Sequence, residues 1–161
     1  MSIEKVRAFF AGTEKEKAIR EFTVSSATVS LAAKALGVEE ARIAKTLAFE
    51  NKEGGCLLLV TAGDAKTSNR KFKDRFGFKP KMMSHEETAV ATGHAVGGVC
   101  PFALPKSGVT VFCDASLRRF DLIFPAAGSS NSAIPMDCEE LFRYSGAADW
   151  VDVCDLPESA D

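Results

Sequence analysis

The amino-acid sequence predicts an α+β domain built on a mixed, curved β-sheet. Segments with helical spacing and segments with strand character are interspersed along the 161 residues. They do not alternate regularly, as they would in a fold made of parallel βαβ units. The length favours one domain over residues 1–161, because two smaller domains would each bury little apolar surface.

Five helices are predicted from apolar side chains at helical spacing, polar N-caps and terminal glycines. Gly37 suits the left-handed position that follows the second helix. Capping boxes, Ser84 with Glu87 and Asp137 with Glu140, begin the last two helices. The predicted helices cover residues 3–10, with Ser2 as N-cap, and residues 28–36, 67–76, 84–92 and 137–141.

Six strands are predicted from short apolar runs bounded by turn residues. Residues 43–49 and 56–61 are expected to pair as a hairpin, because the turn residues 51–55 separate them. The remaining strands are predicted at residues 109–113, 121–124, 133–136 and 150–153, the last at an edge of the sheet.

Composition narrows the class of protein. Hydrophobic residues make up 46% and charged residues 26%, as in ordinary globular domains. The apolar stretches are far too short to span a membrane, and the N-terminus lacks the pattern of a secretory signal. Five cysteines without a Cys-x-x-Cys pair indicate neither a disulfide framework nor a zinc site. We therefore expect a cytoplasmic protein that needs no metal or cofactor.

Charge is unevenly distributed, although the formal net charge is −2. Residues 66–81 contain seven basic residues and one acid, whereas residues 137–161 contain eight acids and one base. A local basic surface can attract a polyanion whatever the total charge. A charged helix of this length is more often simply solvated, so the basic run indicates nucleic acid only with independent support.

Lys45 lies in a predicted strand, where side chains alternate between two faces. It shares a face with the bulky residues Ile43, Leu47 and Phe49. If that face is buried, the ammonium enters apolar surroundings and becomes less basic, which suits a base or a ligand for a carbonyl or an anion. The opposite register would expose Lys45 to solvent, and alternation alone does not decide between the two.

Residues 93–102, GHAVGGVCPF, form a glycine-rich segment. Paired glycines let the backbone approach a ligand, and N–H groups from Gly98 to Cys100 could stabilise the oxyanion of ester hydrolysis. Most such segments are plain turns. His94 is either a general base or, more commonly for such a residue, a structural histidine. Cys100 is either a nucleophile or, as we favour without an evident histidine partner, a contributor of its backbone.

Two further segments have the composition of loops that can bind a ligand. Residues 125–132, PAAGSSNS, are small and polar, which suits either a pocket wall or an inter-strand turn. Residues 63–67, GDAKT, end like a phosphate-binding loop but lack its upstream glycine, which excludes that motif.

Several segments together resemble the YbaK/EbsC family, which includes the editing domain of bacterial prolyl-tRNA synthetases. They follow the family's order over residues 25–141. The matching segments are SAT at 26–28, AAKALG at 32–37, IAKTL at 43–47, TAGD at 61–64, GHAVGGVCPF at 93–102, AAG at 126–128 and SAI at 132–134.

The resemblance implies a barrel-like mixed sheet flanked by helices, and hydrolysis of the ester that joins an amino acid to the terminal adenosine of tRNA. It implies that Lys45 is catalytic, that the loop from Gly97 to Pro101 receives the aminoacyl group, and that no enzyme nucleophile attacks. The substrate-binding residues implied with them are Thr46, Gly63, Asp64, His94, Gly97, Gly98, Val99, Cys100, Pro101, Phe102, Gly128 and Ser132.

With tRNA implied, the basic run becomes a predicted phosphate-binding surface formed by Lys66, Arg70, Lys71 and Lys73. We expect a trans-acting aminoacyl-tRNA deacylase for tRNA-Pro carrying cysteine, alanine or another small amino acid, with prolyl-tRNA synthetase as a candidate partner. Many family members carry serine in place of Cys100 and a more basic segment around Ser132, and both departures bear on the substrate. The alternative is a non-catalytic module that binds a nucleotide or an aminoacyl group.

Overall fold

All five predicted helices are present, and three of them begin at the predicted capping residues. The structure, a computed structural model, describes residues 2–157. Thr28, Ser84 and Asp137 cap N-termini with their side chains, and Gly37 adopts the left-handed conformation with φ of 70°. The helices are α1 (Ser2–Phe10), α2 (Val29–Leu36), α3 (Asn69–Phe76), α4 (His85–Thr92) and α5 (Cys138–Ser145). In the part of the chain described, no helix is long and apolar enough to cross a membrane.

Three helix boundaries differ from the prediction. Ser2 lies inside α1, and its hydroxyl donates to the carbonyl of Gly128 instead of capping the helix. Helix α3 begins later than predicted, because Ser68 is its N-cap and the two residues before Ser68 pair as a strand. Helix α5 continues to Ser145, where Gly146 ends it in the left-handed conformation.

Five strands form a mixed sheet, which confirms the predicted fold class. The sheet strands are β2 (Ile43–Glu50), β3 (Cys56–Ala62), β5 (Val109–Asp114), β6 (Phe124–Pro125) and β8 (Asp149–Val151). Their order in the sheet is β6-β2-β3-β5-β8, with an antiparallel β2–β3 hairpin and parallel pairing at the other three contacts. Strand β3 is buried along its whole length, as expected of a central strand.

Two small ladders complete the fold. Strand β1 (Arg20–Glu21) pairs with β7 (Ser132–Ala133), and β4 (Lys66–Thr67) pairs with β9 (Cys154–Asp155). The predicted strands at residues 121–124 and 133–136 shrink to the short strands β6 and β7 and an isolated bridge between Ile123 and Met136. A strand of two residues is too short to show alternation of side chains between two faces. These ladders are instead fixed by tertiary contacts.

Candidate active site

A cavity of about 240 Å³ opens beside β2, between the start of α2, the start of α4 and the glycine-rich segment. Its lining is mainly apolar, and in the described part of the chain only Lys45 and His85 among the lining residues are ionisable. Residues 2–157 also contain no cluster of three histidine, cysteine or acidic side chains that could hold a metal. The walls include Ala27, Thr28, Ala44, Lys45, Thr46, Met82, His85, Val96, Gly97, Val99, Ala126 and Ser132.

Lys45 is held at this cavity by two backbone carbonyls. Its Nζ donates to the carbonyl oxygen of Ala65 at 2.6 Å and of Gly63 at 3.4 Å. Partial burial lowers the pKa of Lys45, while nearby Cys154 and Asp64 act in the opposite direction. A protonated ammonium has three N–H donors, so one remains for a ligand.

The register of β2 explains why alternation could not place Lys45. Both faces of the strand contain buried residues, Ile43 and Phe49 on one and Ala44 and Ala48 on the other. Lys45 itself is intermediate in exposure, between the buried and the solvent-exposed positions that the sequence left open. Thr46, the next residue, lines the cavity and has a buried hydroxyl without a hydrogen-bond partner among the described residues.

The front of the glycine-rich segment, Gly97 to Val99, fits closely against the loop that follows β6. Gly97 has φ of +88°, and a Cβ there would lie 3.1 Å from the Cβ of Ala27 and 3.3 Å from that of Ser130. A Cβ on Gly98 would lie 2.7 Å from the backbone nitrogen of Ser129. Side chains at either position would therefore push the segment out of place.

The N–H groups of this segment are not equally available. Gly98 N–H donates to the carbonyl of Ala95 at 3.0 Å, so it cannot serve as the oxyanion donor expected from the sequence. The N–H groups of Val99 and Cys100 make no hydrogen bond within the described part of the chain. Val99 lines the cavity, so its N–H is the donor that the segment can offer to a ligand, whereas Cys100 is fully buried behind the wall.

The back of the segment, formed by the side chains of His94, Cys100 and Phe102, is fully buried. His94 Nε2 lies 2.7 Å from the Phe102 carbonyl oxygen and 3.6 Å from Cys100 Sγ. Cys100 thus has a histidine neighbour that the sequence did not reveal. However, burial raises the pKa of the Cys100 thiol to about 12 and lowers the pKa of His94. The thiol stays protonated at neutral pH, which does not suit a nucleophile.

Gly63 and Asp64 lie behind Lys45 and do not line the cavity. Asp64 accepts two hydrogen bonds from Arg119, at 2.6 and 3.1 Å, and this contact holds the pKa of the Asp64 carboxyl below its usual value. Gly63 packs so tightly that a Cβ would lie 2.0 Å from the carbonyl oxygen of Glu40. Both residues therefore support Lys45 and do not contact a ligand in the cavity.

Of the residues expected at the site, the structure brings five to the cavity wall: Lys45, Thr46, Gly97, Val99 and Ser132. Gly98, His94, Cys100 and Phe102 lie behind the wall, Pro101 lines a separate cleft, and Gly128 packs against Ser2 and Val6 of α1. Sequence reasoning missed His85, which is the first residue of α4. The capping box signals the helix start, but no sequence signal places it beside β2.

The predicted tRNA surface is only partly free. Lys71 Nζ lies 3.3 Å from Asp155 and 3.6 Å from Asp152, so the acidic end of the chain compensates its charge. Arg70 and Lys73 on α3 are exposed and form no ion pair with residues 2–157, and Lys66 is exposed as well.

The known proteins that this chain resembles point to one family. A family model described as the aminoacyl-tRNA editing domain matches residues 23–144. The chain is 46% identical over 154 residues to "Uncharacterized protein YwhH" of Bacillus subtilis, covering 96% of this chain and 98% of that protein. It is 27% identical over 114 residues to "Putative Cys-tRNA(Pro)/Cys-tRNA(Cys) deacylase EbsC" of Enterococcus faecalis, covering 70% of this chain and 69% of that protein.

Solved structures show the same fold. The crystal structure of hypothetical protein APE2540 superposes with a TM-score of 0.82 at 28% identity, covering 94% of this chain and 99% of that one. A structure described as "a putative trans-editing enzyme for prolyl tRNA synthetase" superposes with a TM-score of 0.83 at 24% identity, covering 98% of both chains. At that identity, the second likeness concerns the fold alone.

Proposed function

The chain belongs to the aminoacyl-tRNA editing domain family, and on that premise we propose that it is a trans-acting aminoacyl-tRNA deacylase. It would hydrolyse the ester between a wrongly attached amino acid and the terminal adenosine of tRNA. One observation carries the proposal: a single cavity joins Lys45 and Thr46 of β2 to Gly97 and Val99 of the glycine-rich segment.

The chemistry needs no enzyme nucleophile. Water attacks the acyl carbon and releases a proton to the solvent, and the carbonyl oxygen becomes an oxyanion. The oxyanion then collapses to the carboxylic acid, which ionises in solution, and the bond to the ribose oxygen breaks as that oxygen takes a proton. The N–H group of Val99, which lines the cavity and lacks an acceptor in the described part of the protein, is suited to stabilise the oxyanion. The protonated thiol of Cys100 agrees with attack by water.

Lys45 is proposed as the residue that assists this step from the opposite wall. Two of its N–H groups are fixed by the carbonyls of Gly63 and Ala65, which orient the third. Because partial burial lowers its pKa, Lys45 gives up a proton more readily than an exposed lysine. It can therefore bind the substrate through a hydrogen bond and supply the proton that the departing ribose oxygen takes.

The cavity favours an uncharged amino acid of small size. Its walls are mainly apolar, and none of the acidic side chains within residues 2–157 lines it to pair with a cationic substrate side chain. The name of the Enterococcus relative refers to cysteine on tRNA-Pro and tRNA-Cys. We accordingly propose tRNA-Pro carrying cysteine, alanine or another small residue as the substrate, with prolyl-tRNA synthetase as a candidate partner.

A deacylation screen over a panel of mischarged tRNAs tests this function, together with Lys45→Met. Methionine keeps the aliphatic stem but removes the donor, so we expect turnover of the best substrate to fall on the order of 10²-fold or more. Lys52→Met, at an exposed lysine outside the predicted tRNA surface, is the matched control and should retain wild-type turnover of the same substrate.

Two results would contradict the proposal. Full turnover by a folded Lys45→Met protein would remove the proposed catalytic residue. Tight binding of aminoacyl-tRNA by the wild-type protein without hydrolysis of any member of the panel would instead favour the non-catalytic module.

Docking of tRNA is proposed for the exposed residues Arg70 and Lys73. Reversing both to glutamate should raise KM for aminoacyl-tRNA and flatten its salt dependence, because phosphate contacts release counterions. The same charge change at the exposed residues Lys52 and Lys106 is the matched control. Neither pair of substitutions should change the rate at which aminoacyl-adenosine is hydrolysed. Equal losses on both substrates would show that α3 supports the cavity and does not dock tRNA.

A further inference from the structure

We propose that His94 is a positioning residue that clamps the two ends of the glycine-rich segment and thereby aims the N–H group of Val99 at the cavity. The inference rests on the proposed function, because it assigns that N–H group to catalysis. It concerns a side chain that does not line the cavity and that the proposed chemistry does not otherwise use.

The clamp begins with where the chain places His94. Gly93 ends α4 in the left-handed conformation with φ of 78°, and His94 follows it directly. His94 N–H donates to the hydroxyl of Thr92, and the imidazole is 0% exposed. The start of the segment is therefore fixed to the end of a helix.

The imidazole then reaches across to the other end of the segment. His94 Nε2 lies 2.7 Å from the carbonyl oxygen of Phe102, eight residues later. The Phe102 ring packs at 5.1 Å, centroid to centroid, against Phe10 in the core. One hydrogen bond therefore joins the segment's start to an end that is itself anchored, and the residues between them have little freedom.

The protonation of the ring follows from this contact. A carbonyl oxygen can only accept, so Nε2 carries the proton and Nδ1 has the lone pair. Nδ1 is buried without a hydrogen-bond partner among the described residues. An unpaired buried acceptor costs stability. An apolar side chain would fill the space without that cost, so packing alone does not account for a histidine here.

The same hydrogen bond bears on the front of the segment. Cys100 Sγ lies 3.6 Å from Nε2, so the residue that follows the proposed oxyanion donor Val99 packs against the clamp. If the clamp is lost, the N–H group of Val99 loses its fixed aim, while the cavity walls on β2 and α2 remain. Such a change lowers transition-state stabilisation more than substrate binding.

The test compares His94→Leu with His94→Gln, whose amide N–H can replace the Nε2 donor. On the best aminoacyl-tRNA found for the wild-type protein, we expect His94→Leu to lose on the order of tenfold in kcat with KM within about twofold. His94→Gln should recover most of that loss. A folded His94→Leu protein with wild-type kcat, or a His94→Gln protein as impaired as the leucine variant, would overturn the clamp.

A measurement on the wild-type protein keeps the inference testable if a variant does not fold. The imidazole ¹⁵N spectrum shows which nitrogen of His94 carries the proton, and we expect Nε2. A proton on Nδ1 would overturn the clamp, because Nε2 could not then donate to Phe102. This readout does not depend on activity. A wild-type protein that hydrolyses no aminoacyl-tRNA would refute the proposed function, whereas the spectrum would still decide whether the hydrogen bond of the clamp is present.

Discussion

The front and the back of the glycine-rich segment are formed by different residues of one short stretch of chain, and they have opposite roles. At the front, Gly97 and Val99 line the cavity and offer backbone groups. At the back, the side chains of His94, Cys100 and Phe102 are sealed in the core. The residue types that most suggest catalysis in a bare sequence, histidine and cysteine, therefore lie on the structural side. On the proposed function, the chemistry at this cavity depends on the backbone of the front and on Lys45, which lines the cavity from β2.

The front is expected to be the most sensitive to substitution. Gly97→Val should lower kcat on the order of 10²-fold, the scale of losing one oxyanion donor, because a side chain there meets Ala27 and Ser130. Gly108→Val is the matched control, since Gly108 has nearly the same φ, +86°, but no atom within 4 Å of an added Cβ. Both variants should lose stability through backbone strain, measured as a lower Tm.

Comparing kcat between these two glycine variants separates strain from position. An equal loss of kcat in Gly108→Val would show that strained glycines reduce activity wherever they lie, and the front of the segment would have no special role.

The fold was predictable where local chemistry decides it. Capping boxes at Ser84 and Asp137 and the terminal Gly37 mark helix ends in the sequence, and the structure uses each of them. The strands β1 and β7 were missed or misplaced because each has only two residues. Their pairing depends on distant parts of the chain, which no local pattern encodes.

The candidate site was predictable in its segments but not in its orientation. The glycine-rich segment and Lys45 do meet at one cavity. Which side chains face that cavity depends on contacts between distant residues, such as Asp64 with Arg119, 55 positions apart. The contact between His94 and Cys100 is closer in sequence, but a turn of unknown shape separates them, so spacing could not reveal it.

The buried His94 at the back of the segment should make the stability of the folded protein depend on pH. Burial lowers the pKa of His94 in the folded protein, whereas the unfolded chain keeps a value of about 6.5. As pH falls below that value, the unfolded chain binds more protons than the folded protein, so stability decreases. Between pH 7 and 5.5, Tm should fall more in the wild-type protein than in His94→Gln.

The chosen pH window isolates the histidine. Asp64 and Glu87 also have lowered pKa values, but their stabilising charge is lost only at lower pH, where these carboxyls become protonated. The exposed His85 is present in both proteins and cancels in the comparison. Parallel Tm curves for the two proteins would mean that His94 can be protonated in the folded state, and the back of the segment would be less sealed than its burial indicates.

The smallest effect on kcat is expected for Cys100→Ser. This substitution tests most directly whether the front or the back of the segment takes part in the chemistry. Serine keeps the backbone N–H, and the thiol of Cys100 is protonated at neutral pH, so kcat should fall less than about threefold. Cys113→Ser is the matched control for loss of stability, because Cys113 is also buried with a pKa raised to about 12.

A cysteine nucleophile predicts the reverse: an inactive Cys100→Ser protein, and an acyl group trapped on Cys100 in the wild-type protein by rapid quench and mass spectrometry. Such an adduct would move the reaction from the front of the segment to its back, and would require a motion that brings Cys100 and His94 out of the core.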